Sequence, residues 1–237
     1  MKFEKHRDYN RLKVAFDLLA NGDGTRILNV GCGKDAFLEQ KFTGADIIGL
    51  DISPAALREA KKKAPHGHYL LADIRNLPIK DGSIDTLAML AVLGGVPQSE
   101  EVAVFREASR ILRNGGRLVI LVSQKRQPYS SLAPDRLLGG WKWRHYNFRL
   151  LEQQLGECGF TTTRVIFTAG ILSLVINMAN SLWVNSWQLL TRALIRRPYA
   201  PPLPYRWINR LSGWEFRPFP KAVKRLGRFI YIVAERV

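Results

Sequence analysis

Apolar and polar residues follow two patterns along the chain, one typical of amphipathic helices and one of buried strands. Short apolar runs bounded by polar or turn residues are long enough for strands covered on both faces. The predicted strands cover residues 26–30, 47–51, 68–72, 84–90, 117–123, 161–167 and 229–234. The predicted helices cover residues 5–20, 54–64, 98–113 and 148–158. Strands that alternate with helices predict an α/β fold with a parallel sheet.

Capping residues predict where several helices begin and end. Ser53 and Pro54 suit the N-cap and the first helical position of the second predicted helix. The sequence Asn114-Gly115-Gly116 is predicted to close the helix that begins at Gln98, and Gly159 to close the last one.

Three polar or glycine-containing features follow the predicted strands. Gly31 and Gly33 come after the first strand, where glycine allows a tight turn and close approach of a ligand. Asp51 ends the second strand, where a carboxylate can accept from both ribose hydroxyls of a nucleoside. Asp73 follows the third strand and could accept from an adenine amino group. The third glycine of a dinucleotide fingerprint is missing, which disfavours a nicotinamide cofactor.

Four longer segments resemble one enzyme family. They are ILNVGCGKD, GLDIS, LLADIRNLPIKDGSIDTLAMLAVL and REASRILRNGGRLVIL. Together they resemble class I S-adenosylmethionine-dependent methyltransferases of the ubiquinone/menaquinone-biosynthesis type. The similarity runs over residues 10–168 and resumes at the last strand. It implies a Rossmann-like, seven-stranded, mostly parallel sheet with helices on both faces and S-adenosyl-L-methionine as cofactor.

The resemblance also implies a set of cofactor-binding residues. Gly31 and Gly33 would face the methionine part, Asp51 would hold the ribose, and Ile52 would pack on the adenine. Asp73 and Ile74 would contact the adenine edge, and Leu90 would lie beside the transferable methyl group. The whole set is Asn29, Gly31, Cys32, Gly33, Asp51, Ile52, Asp73, Ile74 and Leu90. No metal is expected.

Catalytic candidates are few, because methyl transfer needs alignment and at most one base. His145 and Tyr146 lie in the connection after the fifth strand, which overlies the substrate in the resembled family. His6, Arg7 and Tyr9, in the first helix, are weaker candidates.

Two departures from the family pattern bear on the substrate. Asp35 stands where the family usually has Gly, and Gly94-Gly95 stands where it often has Glu-His. They leave open which acceptor is used and allow an inactive cofactor-binding protein.

Charge is concentrated in the last third of the chain. The net charge is +16, and residues 161–237 contribute +10 of it through 12 Lys and Arg against 2 Glu. The predicted methyltransferase domain covers residues 1–169 and 228–237, and a basic, aromatic insert covers 170–227. Such a segment attracts anions, including phospholipid headgroups and nucleic acid.

The insert is predicted to contain an amphipathic helix before the last strand. No charged residue occurs from Val165 to Thr191, but polar residues interrupt this run too often for a transmembrane helix. One side is apolar, and Arg192, Arg196 and Arg197 follow. The residues of that side are Leu172, Val175, Ala179, Leu182, Trp183, Leu190 and Leu194. They indicate contact with an anionic membrane interface, or alternatively a substrate lid, packing on the chain's own domain or a homodimer interface.

These features predict a cytoplasmic enzyme, peripheral on the inner face of the membrane. It would methylate a lipid, lipid-linked or other hydrophobic acceptor, with oxygen as the favoured atom. The N-terminus carries no apolar leader, and the spacing of Cys32 and Cys158 favours neither a disulfide nor a zinc site. The alternatives are a soluble small-molecule or sugar methyltransferase, and a nucleic-acid-binding methyltransferase or inactive cofactor-binding protein. Nucleic acid is disfavoured because it has no need of the apolar helix.

Overall fold

A single eight-stranded sheet organises the chain in the computed structural model, which describes residues 9–20, 26–124, 144–168 and 229–237 and single positions between 179 and 213. Its strands are β1 (Arg26–Val30), β2 (Asp46–Asp51), β3 (His68–Leu71), β4 (Ile84–Leu90), β5 (Leu112–Gln124), β6 (His145–Tyr146), β7 (Phe160–Thr168) and β8 (Phe229–Arg236). Their order is β3-β2-β1-β4-β5-β8-β7, and β6 pairs with β5 beside this path. The pairs from β3 to β5 are parallel, whereas β8 runs antiparallel to β5. The predicted mostly parallel, Rossmann-like sheet is confirmed.

The core lies along the central strands, which are buried on both faces. In β5 the five consecutive residues from Leu118 to Val122 are each at most 3% exposed. Successive side chains of a strand point to opposite faces, so both faces of the sheet are covered here. This explains why the strands read as continuous apolar runs and not as alternating ones.

Five helices are described with defined bounds, one before the first strand and four between strands: α1 (Tyr9–Ala20), α2 (Phe37–Lys41), α3 (Pro54–Lys63), α4 (Glu101–Ile111) and α5 (Phe148–Glu157). The predicted cap of α3 is confirmed, because Ser53 Oγ accepts from the amide of Ala56 at 3.2 Å and Pro54 begins the helix. Asn147 caps α5 in the same way, accepting from the amide of Arg149.

The predicted end of the helix that begins at Gln98 is wrong. Residues Gln98–Glu100 form a separate 3-10 turn, α4 ends at Ile111, and Leu112 is already extended. Leu112 pairs with Ile84, and Arg117 pairs with Thr86, so the residues between them bulge from the ladder. Gly115, at φ +71°, supplies the left-handed turn inside β5 and does not cap the helix.

Two short elements gave no sequence signal. β6 has two residues, His145 and Tyr146, in register with Ser123 and Gln124 of β5. A 3-10 turn at Leu93–Gly95 follows β4. Segments this short have no measurable hydrophobic period.

The chain divides into two compact units. One consists of Lys13–Lys125, Trp143–Ile166 and Phe229–Val237, and the other of Met1–Leu12, Arg126–Lys142 and Phe167–Arg228. The second unit contains the predicted insert, and in addition two segments that the sequence had assigned to the methyltransferase domain.

The predicted amphipathic helix is described at eight positions, all of which are helical. They are Ala179, Leu182, Trp183, Ser186, Trp187, Leu190, Thr191 and Leu194. Leu182 and Leu194 of the predicted apolar side are 65% and 72% exposed, whereas Thr191 of the polar side is buried. In the described part of the chain, no helix is long and apolar enough to cross a membrane.

Removal of the α3 cap should weaken the fold without altering its core. We expect Ser53→Ala to lower the free energy of unfolding by about 1 kcal/mol, since the Ala56 amide loses its acceptor. Urea unfolding measures this change. Ser53→Asn, which keeps a capping oxygen, should retain most of the stability, and an equal loss in both variants would contradict the capping role.

Candidate active site

The carboxyl ends of β1, β2 and β4 meet at one edge of the sheet. Val30 of β1 pairs with Leu50 of β2 on one side and with Met89 of β4 on the other. The residues that follow each strand are therefore neighbours. The chain leaves β1 towards β2 and β4 towards β5, so the connections diverge between β1 and β4. Ligands of open α/β sheets bind at such a divergence.

A left-handed turn follows β1. Gly31 and Gly33 have φ angles of +69° and +62°, which favour glycine. The amides of Gly31 and Cys32 both donate to the carbonyl of Leu50, at 2.7 and 3.0 Å. We call residues 31–33 the glycine turn. The Cys32 side chain is buried within it, and burial raises the pKa of its thiol.

Close packing makes glycine necessary at position 31 for a second reason. A Cβ atom added to Gly31 would lie 2.6 Å from Cγ2 of Val92, which follows β4. The same atom added to Gly33 would meet nothing within 4 Å. Gly31 therefore lets the connection after β4 lie directly against the turn, whereas Gly33 leaves open space for a ligand to approach the backbone.

Asp51 is held at the centre of this edge by two backbone amides. Its Oδ2 accepts from Gly33 N and its Oδ1 from Ser53 N, both at 2.9 Å. An ionised carboxylate has about four acceptor sites, so two remain for the hydroxyls of a ligand. This arrangement suits the ribose contact that the sequence predicts for Asp51.

Two large apolar side chains are exposed beside Asp51. Ile52 is 67% exposed, and Leu71, which pairs with Asp51 in the sheet register, is 54% exposed. An aromatic base could cover both. Ile52 was predicted from the sequence and Leu71 was not, although an apolar residue at the end of a short strand was the available signal.

Asp73 is engaged by a neighbouring arginine. Arg75 donates to Asp73 from its backbone amide and from Nε, both at 2.9 Å, and from Nη2 at 2.5 Å. These hydrogen bonds hold the pKa of Asp73 below its usual range. Arg75 also pairs with Glu100, before α4. Ile74 is buried, so of the two residues predicted at the adenine edge only Asp73 reaches the surface.

The side chain of Asn29 is turned away from the predicted cofactor. Its Nδ2 donates to both carboxyl oxygens of Glu39 on α2, at 2.9 and 3.2 Å, and both residues are buried. Gly49 makes room for this pair, because an added Cβ would lie 2.6 Å from Glu39 Oε1. Only the backbone of Asn29 stays available for the predicted cofactor contact.

Backbone strain marks the end of β4. Leu90 is half-buried at the predicted position beside the methyl group, and Ala91 has φ +62°, which costs free energy in a residue with a Cβ. The amide of Ala91 donates to the carbonyl of Leu121 at 2.9 Å, which fixes the turn. Such strain is common at functional sites.

The departures from the family pattern are accommodated locally. Asp35 forms an ion pair with Lys63 of α3, so a cation compensates its charge. Gly94 and Gly95 lie in the 3-10 turn after β4, and a Cβ on Gly95 would meet nothing within 4 Å.

The two predicted catalytic residues lie in different environments. His145 is half-buried, in register with Ser123 of β5. Tyr146 is buried, and its hydroxyl donates to Glu101 Oε1 at 2.7 Å. Burial and this hydrogen bond raise the pKa of Tyr146. As a base, Tyr146 would first have to leave Glu101, so its geometry favours a positioning role. His6 and Arg7 lie outside the described residues, as does the side chain of Tyr9.

Comparisons with known proteins bear on the fold and on residues 28–120. A solved S-adenosylmethionine-dependent methyltransferase from Archaeoglobus fulgidus superposes with a TM-score of 0.63 at 16% identity, covering 99% of this chain and 96% of that one. The fold is therefore of the methyltransferase type. Residues 28–120 match the family described as "Methyltransferase domain". For that segment the predicted resemblance, class of enzyme and cofactor, S-adenosyl-L-methionine, are confirmed.

Two curated relatives cover parts of the chain. The arsenite methyltransferase of Halobacterium salinarum is 30% identical over 135 residues, which are 53% of this chain and 34% of that protein. The demethylmenaquinone methyltransferase of Thermotoga maritima is 33% identical over 122 residues, 51% of this chain and 52% of that protein. The chain thus matches only about half or less of either relative's length.

The two glycines of the turn should differ in their tolerance of alanine. A left-handed residue with a Cβ costs roughly 1–2 kcal/mol, which both Gly31→Ala and Gly33→Ala incur. Gly31→Ala should lose more free energy of unfolding, because its methyl group meets Val92. In urea unfolding, adding Val92→Ala should recover part of the excess, because it removes Cγ2 at 2.6 Å but keeps the Val92 Cβ at 3.0 Å. Equal losses for the two glycine variants would refute the packing role of Gly31.

Stability should depend on pH through Glu39. Burial raises the pKa of Glu39, so the unfolded chain releases this proton at lower pH than the folded chain. The contribution of Glu39 therefore falls as pH rises above about 4.3, the ordinary Glu pKa, until the folded pKa is passed. Glu39→Gln should gain stability relative to the parent over that range. Parallel stability curves in urea unfolding would contradict this, and Glu152→Gln, on the exposed face of α5, is the control.

Proposed function

We propose that the chain transfers the methyl group of S-adenosylmethionine to a hydrophobic acceptor, a lipid or lipid-linked molecule, at a membrane surface. Oxygen is the favoured acceptor atom. The main support for this proposal is the group formed by the glycine turn, Asp51, Ile52 and Leu71. It offers an accessible backbone, a carboxylate and an apolar surface in one place. These groups match the methionine, ribose and adenine parts of the cofactor.

The chain's own residues would act mainly by alignment. When bound, S-adenosylmethionine supplies an electrophilic methyl group, so the protein has to position it and exclude water. Asp51 would hold the ribose through the acceptor sites that its two backbone donors leave open. Leu90 would line the methyl-transfer position, and His145 is the candidate base for a hydroxyl acceptor.

Exposed apolar residues in the insert support a hydrophobic acceptor and membrane contact. Leu182 and Leu194 are more than half exposed, and Trp183 and Leu190 are also exposed. Trp183 and Trp187 lie with ring centroids 5.7 Å apart, and tryptophan is frequent at membrane interfaces. The net charge of +10 in residues 161–237 adds attraction to anionic lipids. The relative named demethylmenaquinone methyltransferase points to the same class of acceptor.

A soluble enzyme for a small polar acceptor is the second candidate. It is favoured by the match to a protein named arsenite methyltransferase. In that case the exposed apolar residues would form a lid or a homodimer face. Nucleic acid remains the less favoured ligand, because it needs no exposed leucines.

Loss of the Asp51 carboxylate should abolish most cofactor binding. Calorimetric titration with S-adenosylmethionine and S-adenosylhomocysteine should show binding by the intact protein, weakened at least about tenfold in Asp51→Ala by the loss of charged hydrogen bonds. Asp46→Ala, at the opposite end of β2, is the matched control and should bind normally. If the intact protein binds neither compound, the chain is not a methyltransferase by itself.

Membrane contact should depend on the exposed leucines. In flotation with phosphatidylglycerol-containing vesicles, we expect the intact protein to float and the double variant Leu182→Gln/Leu194→Gln to stay in solution, because burial of apolar surface drives insertion. Leu150→Gln changes an exposed leucine of α5, outside the insert, and should still float.

A protein that ignores vesicles but methylates a polar acceptor would support the soluble enzyme. Flotation that persists in both leucine variants and disappears in high salt would assign the attraction to charge alone.

A further inference from the structure

A buried ionic cluster lies beside the candidate site and is not used by the proposed chemistry. Glu101, the first residue of α4, is 2% exposed. Its Oε1 accepts from Arg144 and from the hydroxyl of Tyr146. Arg144 Nη2 also donates to the Tyr146 oxygen at 2.6 Å, and its guanidinium lies 5.1 Å from the centre of the Tyr146 ring. The Arg144 side chain is 25% exposed, whereas Glu101 and Tyr146 are buried, and we call the three residues the buried triad.

The buried triad is attached to the connection between β4 and α4. Arg144 Nη2 donates to the carbonyl of Leu93 at 3.0 Å, inside the 3-10 turn. Glu101 stands at the other end of the same connection. One guanidinium therefore ties the middle of the connection to its end, and both to the segment that enters β6.

The same connection touches the glycine turn. Val92, next to Leu93, occupies the space that a Cβ on Gly31 would need. Two residues earlier, Leu90 ends β4 at the predicted methyl-transfer position, and the left-handed Ala91 lies between them. Residues in sparsely populated backbone conformations persist only where their surroundings fix them.

The composition of the buried triad argues for a role beyond stability. Moving the Glu101 charge out of water costs more than its attraction to Arg144 often returns, so an apolar residue would stabilise this position as well or better. A guanidinium, however, offers several donors in a fixed plane and can hold a carbonyl, a carboxylate and a hydroxyl at once. An apolar cluster cannot fix the direction of the Leu93 carbonyl.

We propose that Glu101, Arg144 and Tyr146 are positioning residues that hold the β4–α4 connection against the glycine turn. They would thereby fix the positions of Leu90 and Val92 relative to the bound cofactor. They would also connect the segment that enters β6, predicted to overlie the acceptor, to the glycine turn, predicted to hold the cofactor. The catalytic part of this inference rests on the proposed methyltransferase function. The mechanical link from Arg144 to Gly31 does not.

Cys32 provides a readout that is independent of activity. Its thiol is buried inside the glycine turn, so it reacts with a thiol reagent only when the turn opens. In a Cys158→Ser background, Arg144→Lys keeps the charge, but its side chain ends one atom short of the position of Nη2 and lacks the Nε donor to Tyr146, so it should not hold Leu93, Glu101 and Tyr146 together. We expect the thiol reagent to label Cys32 about tenfold faster in the Arg144→Lys variant than in the parent. In Tyr146→Phe the acceleration should be smaller.

Arg110→Lys is the matched control for a general loss of stability. Arg110 also lies on α4 and bonds two carbonyls, of Leu77 and Ile79, and two carboxylates, of Asp81 and Glu107. The Arg110→Lys variant should lower the unfolding temperature about as much as Arg144→Lys does, and yet leave the rate of Cys32 labelling unchanged. Unchanged labelling in Arg144→Lys, or equal acceleration in Arg110→Lys, would overturn the link.

Cofactor affinity and turnover separate this inference from the proposed function. Titration with S-adenosylhomocysteine should show weaker binding in Arg144→Lys than in Arg110→Lys, and kcat with the acceptor should fall more than KM rises for it. Faster Cys32 labelling with unchanged affinity and kcat would reject the positioning role. If the intact protein binds no cofactor, the proposed function fails, while the labelling experiment still decides whether the mechanical link exists.

Discussion

The packing of Val92 on the bare backbone of Gly31 is the contact on which the candidate site depends. β1 and β4 are neighbours whose connections leave in opposite directions, and the two connections can meet at the sheet edge only if one of them lacks a side chain. The left-handed Gly31 satisfies this requirement, and the next amides then reach Leu50 and Asp51. The direction of the Asp51 carboxylate, and the open space beside Gly33, follow from that turn.

Much of the sheet, and the local geometry of the glycine turn and Asp51, could be predicted from the sequence, because both depend on local patterns. Buried parallel strands are continuous apolar runs, and β4 was predicted with its observed bounds. Gly31 and Asp51 could be identified because a turn with positive φ favours glycine, and a carboxylate at the end of a strand requires Asp or Glu. Both residue types are visible in the sequence itself. Ser53 was predictable as a cap for the same reason.

The features that the sequence alone did not show depend on contacts between distant residues. Asn29 resembles a site residue by position, yet it bonds Glu39, and only the folded chain shows that this carboxyl lies beneath it. Tyr146 and Glu101 are 45 residues apart, so the commitment of the tyrosine hydroxyl has no local signature. The predicted end of α4 was wrong because Gly115 and Gly116, which would favour a helix cap, lie here in a bulge of β5 where it pairs with β4.

The position of β8 determines the order in which the sheet can be completed during synthesis. β8 lies between β5 and β7, although every other strand precedes it in the chain. Until residues 229–236 leave the ribosome, one edge of β5 and the inner edge of β7 have no partner from β8, and unpaired apolar strands are prone to association. The basic, apolar insert emerges before this closure. A nascent chain that met a lipid surface before β8 emerged would thus do so with its sheet still open, so the order of emergence of the insert and β8 bears on correct assembly.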